Sequence, residues 1–386
     1  MNRICPRQAP STIAMFCISL ILVLPNSAGA ASWVTAERSV TKIADGVYVI
    51  IHKDAVAEGW PQGNTTVVIG ARGVLVVDAC FLTGSAKEDI AEIKRLTSKP
   101  VRYLLNTHFH IDHNAGNSAY MEAFPEIEII AQTDTRRFMD DENPSFAANI
   151  ADPHGRPTTI ILPALKKELE TGKDGDGKPL SAEERRNIPQ QIAEVENEIA
   201  DYKTFKYQSP TLTFDHTLTL DLGDREVQVM HLGRGHTPGD TFVYLPQERV
   251  LITGDLLTWP IPYMRMSFPR EWVEVLRTMS RMNADFIVPG HGVVLRDKTH
   301  MYEVISLLDS VIRQVHEQAS KVAFDSQAKV FKVEDLHVDI ESFRQHMTGG
   351  DPSNSDFWER IVNPGMIGGV NQGVVGRAFA EETGKL

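Results

Sequence analysis

The sequence predicts an α/β fold in which two β-sheets are sandwiched between helices. Short β-branched runs bounded by glycine occur in two separate blocks of the chain, and such runs are typical of strands. Each block is followed by segments with the apolar spacing of helices. This order of strands, helix, strands and helix favours a four-layer αββα arrangement. With 42% hydrophobic residues, the 386-residue chain has ample material for such a core.

The first block of strands has a nearly continuous apolar character, which predicts strands that are buried on both faces. In the second block, the run at 242–245 is expected to pair with the run at 250–253. The predicted strands are 46–51, 65–70, 73–78, 101–105, 211–222, 226–232, 242–245, 250–253 and 286–288, and the predicted helices are 87–96, 270–282 and 300–321.

Residues 162–207 are rich in Lys and Glu and predict an inserted helical hairpin. Within 188–202 the apolar residues recur every three or four positions, which forms a narrow helical seam. Ser181 and Glu184 precede the seam in the pattern of a capping box. An exposed seam needs a partner surface, since an isolated helix pair is marginally stable. We therefore expect the hairpin to serve as a lid or as a contact in a homodimer.

The first thirty residues have the pattern of a signal peptide. Arg3 and Arg7 precede an apolar run at 13–24, and the small residues at 28–30 predict cleavage before Ala31. The run is short for a bilayer span of ~20 residues, so we expect no stable membrane anchor after cleavage. These features predict a periplasmic or secreted protein.

The predicted division of the chain has three parts: a signal peptide at 1–30, one domain at 31–320 that contains the insertion, and a C-terminal helical extension at 321–386. Only Cys80 would remain after cleavage, so no internal disulfide is expected. The formal net charge of −12, with no basic run, argues against a nucleic-acid partner and leaves a small-molecule substrate.

The strongest functional signal is the segment 107–116, which follows a predicted buried strand. His108, His110, Asp112 and His113 place four ligand-type side chains within six residues. Neutral imidazole and carboxylate are the usual ligands of Zn²⁺ at hydrolytic sites. The spacing of His108 and His110 lets both reach one ion, while Asp112 and His113 can point to a second ion beside it.

Three more candidate ligands lie in later loops beside glycines, where the backbone can come close to an ion. They are His236, Asp255 and His291, each at or just after the end of a predicted strand. Loops at strand ends commonly carry catalytic groups on a rigid scaffold.

These seven residues, in this order and context, resemble the ligand pattern of the metallo-β-lactamase superfamily. The resemblance spans roughly residues 40–295, interrupted by the insertion. It implies the αββα metallo-β-lactamase sandwich and a metal-dependent hydrolase with two Zn²⁺ ions per chain. It also assigns the ligands: His108, His110 and His236 for the first ion, Asp112, His113 and His291 for the second, and Asp255 as the bridge.

The chemistry implied by this resemblance is hydrolysis by a metal-bound hydroxide. A bound water loses its proton at a pKa of ~7 rather than ~16 and becomes the nucleophile. Asp112 is the expected catalytic residue, because it can orient that nucleophile or carry its proton.

The residues narrow the substrate without naming it. Asp255 stands where cysteine-ligand β-lactamases carry a cysteine, and the all-histidine β-lactamases generally lack a bridging carboxylate. The pattern therefore favours relatives that cleave thioesters, lactones, sulfate esters or phosphate esters. The expected substrate is a small ester, thioester, lactone, sulfate ester or lactam, with an all-histidine β-lactamase as an alternative. The aromatic, Met-rich segment 256–269 either lines an apolar pocket, with Tyr263 or Arg265 meeting an anion, or simply packs against the next helix.

Two alternatives come from other classes of protein. A mononuclear iron oxygenase on the same fold would oxidise sulfur, but a single ion needs fewer than seven ligands. A non-catalytic binding protein would be expected to have lost ligands, and every expected position is filled here.

Overall fold

The computed structural model describes residues 38–52, 62–322, 324–325, 330–331, 336–349, 358 and 373–384. The predicted signal peptide therefore lies outside the described residues, as does part of the predicted C-terminal extension. Among the residues described, no helix has the length and apolar character that a membrane span requires.

The first half of the chain forms a seven-stranded sheet in which strand order follows chain order. The first four strands pair antiparallel, and the fourth to the seventh pair parallel. Its strands are β1 (Ser39–Ala44), β2 (Val47–Ile51), β3 (Thr65–Ile69), β4 (Val74–Val77), β5 (Val101–Leu105), β6 (Glu128–Gln132) and β7 (Leu212–Phe214).

The second half forms a five-stranded sheet with the order β12-β11-β10-β9-β8. The pairing predicted between 242–245 and 250–253 is confirmed as antiparallel, with Val243 opposite Ile252. Its strands are β8 (Thr217–Asp221), β9 (Glu226–Met230), β10 (Phe242–Leu245), β11 (Val250–Gly254) and β12 (Phe286–Pro289), and a separate short hairpin joins β13 (Phe324–Asp325) and β14 (Val330–Phe331).

Nine α-helices lie among the described residues, and those at 83–96, 269–280 and 299–318 match the predicted helices at 87–96, 270–282 and 300–321. They are α1 (Thr83–Leu96), α2 (Asn117–Ala123), α3 (Thr133–Ala151), α4 (Leu162–Thr171), α5 (Ala182–Tyr202), α6 (Pro269–Ser280), α7 (Thr299–Gln318), α8 (Glu341–Thr348) and α9 (Val374–Glu382).

The two sheets pack face to face, and helices cover both outer faces. Strand β4 shows why, because successive side chains of a strand point to opposite faces. Leu75 and Val77 pack between the sheets, whereas Val74 and Val76 pack under α1 and α2. On the other outer face, α6 to α9 bury the second sheet. The predicted four-layer αββα order is confirmed.

The insertion is the predicted helical hairpin, and most of its seam is buried within the chain. Ser181 and Glu184 form the predicted capping box at the start of α5. Leu162 of α4 packs against Val195 and Ile199 of α5. At the end of α5, the Tyr202 hydroxyl donates to the carbonyl oxygen of Phe81 at 2.9 Å, which anchors the hairpin to the main domain.

Several elements differ from the sequence-based expectations. The alternation in 211–222 predicts one strand, but this run divides into β7 and β8, which belong to different sheets. The chain crosses between sheets at Asp215 and His216, where the backbone nitrogen of His231 donates to the carbonyl oxygen of His216 at 2.7 Å. The sequence pattern also does not predict β6, α2 or α3. In α3 the apolar pattern is weakened by acidic residues and by Pro144.

Candidate active site

The segment 107–116 leaves the end of β5 and forms a tight loop that is almost entirely buried. Side-chain amides hold its backbone in place: Asn114 Nδ2 donates to the carbonyl oxygens of His110 at 2.7 Å and Phe109 at 3.1 Å. Asn143 of α3 donates to the same Phe109 carbonyl at 3.1 Å and to Asn114 Oδ1 at 2.8 Å. The loop is therefore fixed from inside and from the neighbouring helix before any ligand binds.

Four of the seven predicted site residues form one group: His108, His110, His236 and Asp255. One ligand atom from each lies within 4.8 Å of the others. His108 Nε2 and His110 Nδ1 are 3.2 Å apart. The i, i+2 spacing of these two histidines thus brings both imidazoles to one point, as the sequence predicts.

The other three predicted residues, Asp112, His113 and His291, form a second group with the same maximum separation of 4.8 Å. His113 Nε2 and His291 Nε2 lie 3.0 Å apart, and Asp112 Oδ2 is 3.2 Å from His291 Nε2. The structure therefore brings together all seven residues, which come from four separate loops.

Asp255 lies between the two groups. Its Oδ2 is 3.7 Å from His108 Nε2 in the first group and 3.4 Å from His291 Nε2 in the second, while its Oδ1 is 3.3 Å from His113 Nε2. Gly290 makes this position possible, because a Cβ atom there would lie 1.9 Å from Asp255 Oδ1. This is the position that a bridging carboxylate requires.

The donor set fits metal ions. Histidine nitrogens and carboxylate oxygens suit zinc and related divalent transition metals. Within the described part of the chain, both ring nitrogens of His236 and Oδ1 of Asp255 are buried without a hydrogen-bond partner. Leaving a buried polar atom unpaired costs about 1–3 kcal/mol, a cost that a coordinated cation would remove.

The two groups differ in charge in the metal-free chain. In the first, burial lowers the pKa of His110 to about 3, and the neighbouring His236 acts in the same direction. In the second, burial favours neutral His291, but Asp255 and Asp112 raise its pKa to about 9. Burial also opposes ionisation of Asp112, yet His113 and His291 hold its pKa well below its usual value. A metal ion that bound here would therefore displace protons mainly from the second group.

Two carboxylates behind the site were not identified from the sequence. Asp78 accepts from Thr107 N, Thr107 Oγ1 and His113 Nδ1, each at 2.8 Å, which turns His113 Nε2 toward the site. Asp240 accepts from Thr237 N and Thr237 Oγ1, both at 2.7 Å, and so fixes the loop that carries His236. Outer carboxylates of this kind orient metal-binding histidines.

Tyr263, from the aromatic segment 256–269, contacts the first group. Its ring packs edge-on against His110 at 5.6 Å and against His236 at 5.4 Å between ring centroids. Burial raises the pKa of its hydroxyl to about 12, so this group stays neutral. Leu256, Leu257, Ile261 and Met264 of the same segment pack into the core with α6 and α7, as the packing interpretation expects.

A fold of two sheets between helices, with clustered histidines and aspartates at strand ends, defines a class of metal-dependent hydrolases. The family model described as "Metallo-beta-lactamase superfamily" matches residues 59–291. This match covers more than half of the chain, and the chain belongs to that superfamily. The predicted superfamily and its fold are confirmed.

The relatives include sulfatases. A linear primary-alkylsulfatase of a Pseudomonas species is 24% identical over 253 residues, which are 64% of this chain and 44% of that protein. The alkyl/aryl-sulfatase BDS1 of Saccharomyces cerevisiae is 20% identical over 306 residues, which are 74% of this chain and 42% of that protein. The chain thus spans less than half the length of these two relatives.

Among solved structures, a metallo-beta-lactamase from Pontibacter korlensis matches with a TM-score of 0.50 and 18% identity. The match covers 71% of this chain and 99% of that one. At this level of identity the likeness concerns the fold alone.

Proposed function

We propose that this chain is an exported hydrolase that binds two zinc ions and cleaves sulfate esters of small alkyl compounds. One observation supports it above the others. The Asp255 carboxylate lies within 4 Å of histidine nitrogens in both ligand groups. A carboxylate in that position holds two ions together and would be unnecessary for one.

In this proposal His108, His110 and His236 hold the first zinc, Asp112, His113 and His291 hold the second, and Asp255 contacts both. Zinc at these positions would supply a nucleophile from water near neutral pH and would polarise the electrophilic centre of the substrate. The protein holds the ligands in fixed positions, so little reorganisation is needed when substrate binds.

Asp112 is the residue that we assign to proton handling. Its Oδ2 faces His113 Nε2 at 3.4 Å and His291 Nε2 at 3.2 Å, and its lowered pKa keeps it ionised. An ionised carboxylate at the edge of the site can orient a water molecule and accept its proton.

Tyr263 is the residue that we assign to substrate recognition. A neutral phenol beside the first group can donate a hydrogen bond to an anionic oxygen of the substrate. The nearby Arg265 lowers the pKa of this phenol and supplies a positive charge that favours an anion. A sulfate ester carries such an anion, and the two alkylsulfatases among the relatives support this substrate class.

The proposal is tested by hydrolysis of a panel that contains alkyl sulfates, carboxylic esters, thioesters, lactones and β-lactams. The wild-type chain is expected to cleave alkyl sulfates, and Asp255→Ala is expected to lose this activity together with bound zinc. Asp285→Ala is the matched control, because this exposed carboxylate lies just before β12 and pairs with Arg249, at the opposite end of that strand from the site.

Turnover of β-lactams alone would replace the sulfatase with an all-histidine β-lactamase. One iron per chain without hydrolysis would favour the mononuclear sulfur oxygenase. Full zinc content and activity in Asp255→Ala would refute the two-metal site.

We also propose that this protein is exported. Residues 1–30 would be removed during export, leaving a periplasmic or secreted enzyme whose first residue is Ala31. N-terminal sequencing of the protein from cell fractions checks this directly. We propose a small-molecule substrate and no nucleic-acid partner. A homodimer through the insertion stays a prediction, although the seam that suggested it packs mostly within the chain.

A further inference from the structure

A buried histidine–aspartate pair lies outside the seven site residues, at the end of β2 and on α1. His52 and Asp89 are at most 2% exposed, and His52 Nε2 lies 2.9 Å from Asp89 Oδ2. Arg38 Nη2 contacts the other carboxylate oxygen at 2.6 Å. The remaining ring nitrogen, His52 Nδ1, donates to the carbonyl oxygen of Gly63 at 2.8 Å. Burying such a pair is costly, and no contact described so far explains it.

The peptide unit that His52 contacts connects to both loops of the second ligand group. Gly63 N donates to the carbonyl oxygen of Asp112 at 3.2 Å. On the other side, Asn64 N donates to the carbonyl oxygen of Gly290, next to His291, at 2.6 Å. Because the Gly63 carbonyl and the Asn64 N–H belong to one peptide plane, His52 orients a donor that fixes the His291 loop.

The Asn64 side chain strengthens this connection. Its Nδ2 donates to the carbonyl oxygens of Pro289 at 2.9 Å and Gly292 at 3.0 Å, which lie on either side of His291. Gly63 itself packs against the ring of His113, since a Cβ atom at Gly63 would lie 2.6 Å from His113 Cε1. Every ligand loop of the second group therefore contacts residues 63–64, whereas no described contact joins these residues to His108, His110 or His236.

The pair could instead belong to a metal site of its own, since ligand atoms of His52, Cys80 and Asp89 lie within 4.8 Å of one another. The contacts argue against that use. Asp89 already has a cationic partner in Arg38, and both nitrogens of His52 face oxygen acceptors. Burial raises the pKa of the Cys80 thiol, which opposes the thiolate that binds metal.

We propose that His52 and Asp89 are positioning residues that act through Gly63 and Asn64 to hold the ligands of the second metal ion. This inference rests on the proposed two-metal site. In this role the pair does not contact substrate. The expected effect is selective, because only the affinity for the second ion should depend on it.

The experiment separates the two ions by using backgrounds that each keep one ligand group. His110→Ala leaves the second group intact, and His291→Ala leaves the first. Zinc affinity is measured in each by competition with a chromogenic chelator. His52→Leu is expected to weaken zinc binding in the His110→Ala background by about 10- to 100-fold, the range typical for outer-sphere partners of metal ligands. In the His291→Ala background it should change nothing. Asp89→Ala should behave like His52→Leu.

Two further variants keep the test decisive. Cys80→Ala is the matched control, because Cys80 contacts Asp89 at 3.7 Å but lies outside the chain of hydrogen bonds to Gly63. It should leave both affinities unchanged. His52→Gln can reach only one of the two acceptors, so it should give a smaller selective loss. If circular dichroism shows that His52→Leu does not fold, the zinc affinities of His52→Gln in the two backgrounds decide the test.

An equal loss in both backgrounds, or no loss in either, would overturn the positioning role. A third zinc ion that disappears in Cys80→Ala would overturn it in favour of a separate metal site. Failure of the proposed two-metal site has a different signature, because the unmodified chain would then bind fewer than two zinc ions.

Discussion

Replacing Asp78 with asparagine changes one atom behind the second ligand group without disturbing the backbone. Asp78 has a φ of 64°, a left-handed conformation that asparagine tolerates about as well as aspartate. The new Oδ1 can still accept from Thr107 N, but the amide nitrogen would stand where Oδ2 accepts from His113 Nδ1. Two donors would then face each other, and the bond that holds His113 Nδ1–H in place would be lost.

The size of the expected stability loss follows from the hydrogen bonds that Asp78→Asn removes. The Thr107 hydroxyl can rotate and accept from the new amide, so the net loss is the single bond between His113 and a carboxylate. Hydrogen bonds to charged groups contribute about 1.5–3 kcal/mol, which is the expected loss in the free energy of unfolding of the metal-free protein. Because His113 would no longer be held with Nε2 toward the site, zinc affinity at the second group should fall about 10- to 100-fold.

Chelator competition and urea denaturation measure the two effects separately. Asp201→Asn is the control, since Asp201 also accepts from backbone donors, Thr83 N at 2.8 Å and Gly84 N at 3.0 Å, but at the start of α1. It should cost some stability and no zinc affinity. If Asp78→Asn binds both zinc ions as tightly as the wild type, the orientation of His113 by Asp78 is refuted.

Three further predictions concern charge, packing and substrate. Carboxylates raise the pKa of His291 to about 9, although burial opposes this. The proton on His291 therefore stabilises the metal-free fold fully below a pH of ~6.5. This stabilisation is lost as the pH rises through about 9. Zinc binding at pH 7 should therefore release protons, and a calorimetric heat independent of the buffer would contradict this. Trp272 is fully buried, and its Nε1 donates to the carbonyl oxygen of Leu256 at 3.1 Å. Trp272→Ala should therefore lower the free energy of unfolding, measured by urea denaturation, by about 3–5 kcal/mol, and Trp272→Phe should lower it clearly less. Tyr263→Phe should raise the KM for alkyl sulfates about 10-fold at unchanged zinc content, as expected for the loss of one hydrogen bond to an anion. An unchanged KM would show that Tyr263 does not bind substrate.

The ligand groups could be predicted from the sequence because their signals are local. A run such as His108-x-His110 after a buried strand, or His291 between two glycines, needs no knowledge of the tertiary fold. The residues behind them could not be predicted. In the sequence, Asp78 has no feature that distinguishes it from any other residue at a strand end. His52 and Asp89 are 37 positions apart, so no local pattern connects them. Their roles depend on distances that only the folded chain creates.

The fold shows the same division between local and long-range information. Strands such as β5 and helix α5, with its capping box, carry their signals in their own residues. The split of 211–222 depends on which sheet offers a free edge, so alternation alone predicted a single strand. Likewise, the burial of Tyr202 against Phe81 shows where the inserted hairpin attaches, a contact that the seam pattern did not specify.

The most direct test of the two-metal proposal is the zinc content per chain of the purified protein, measured by elemental analysis. Two zinc ions per chain are expected, with alkyl sulfatase activity that a chelator removes and added zinc restores. One ion per chain, or activity that survives complete removal of metal, would contradict the assignment of His108, Asp255 and the other five residues to a binuclear site.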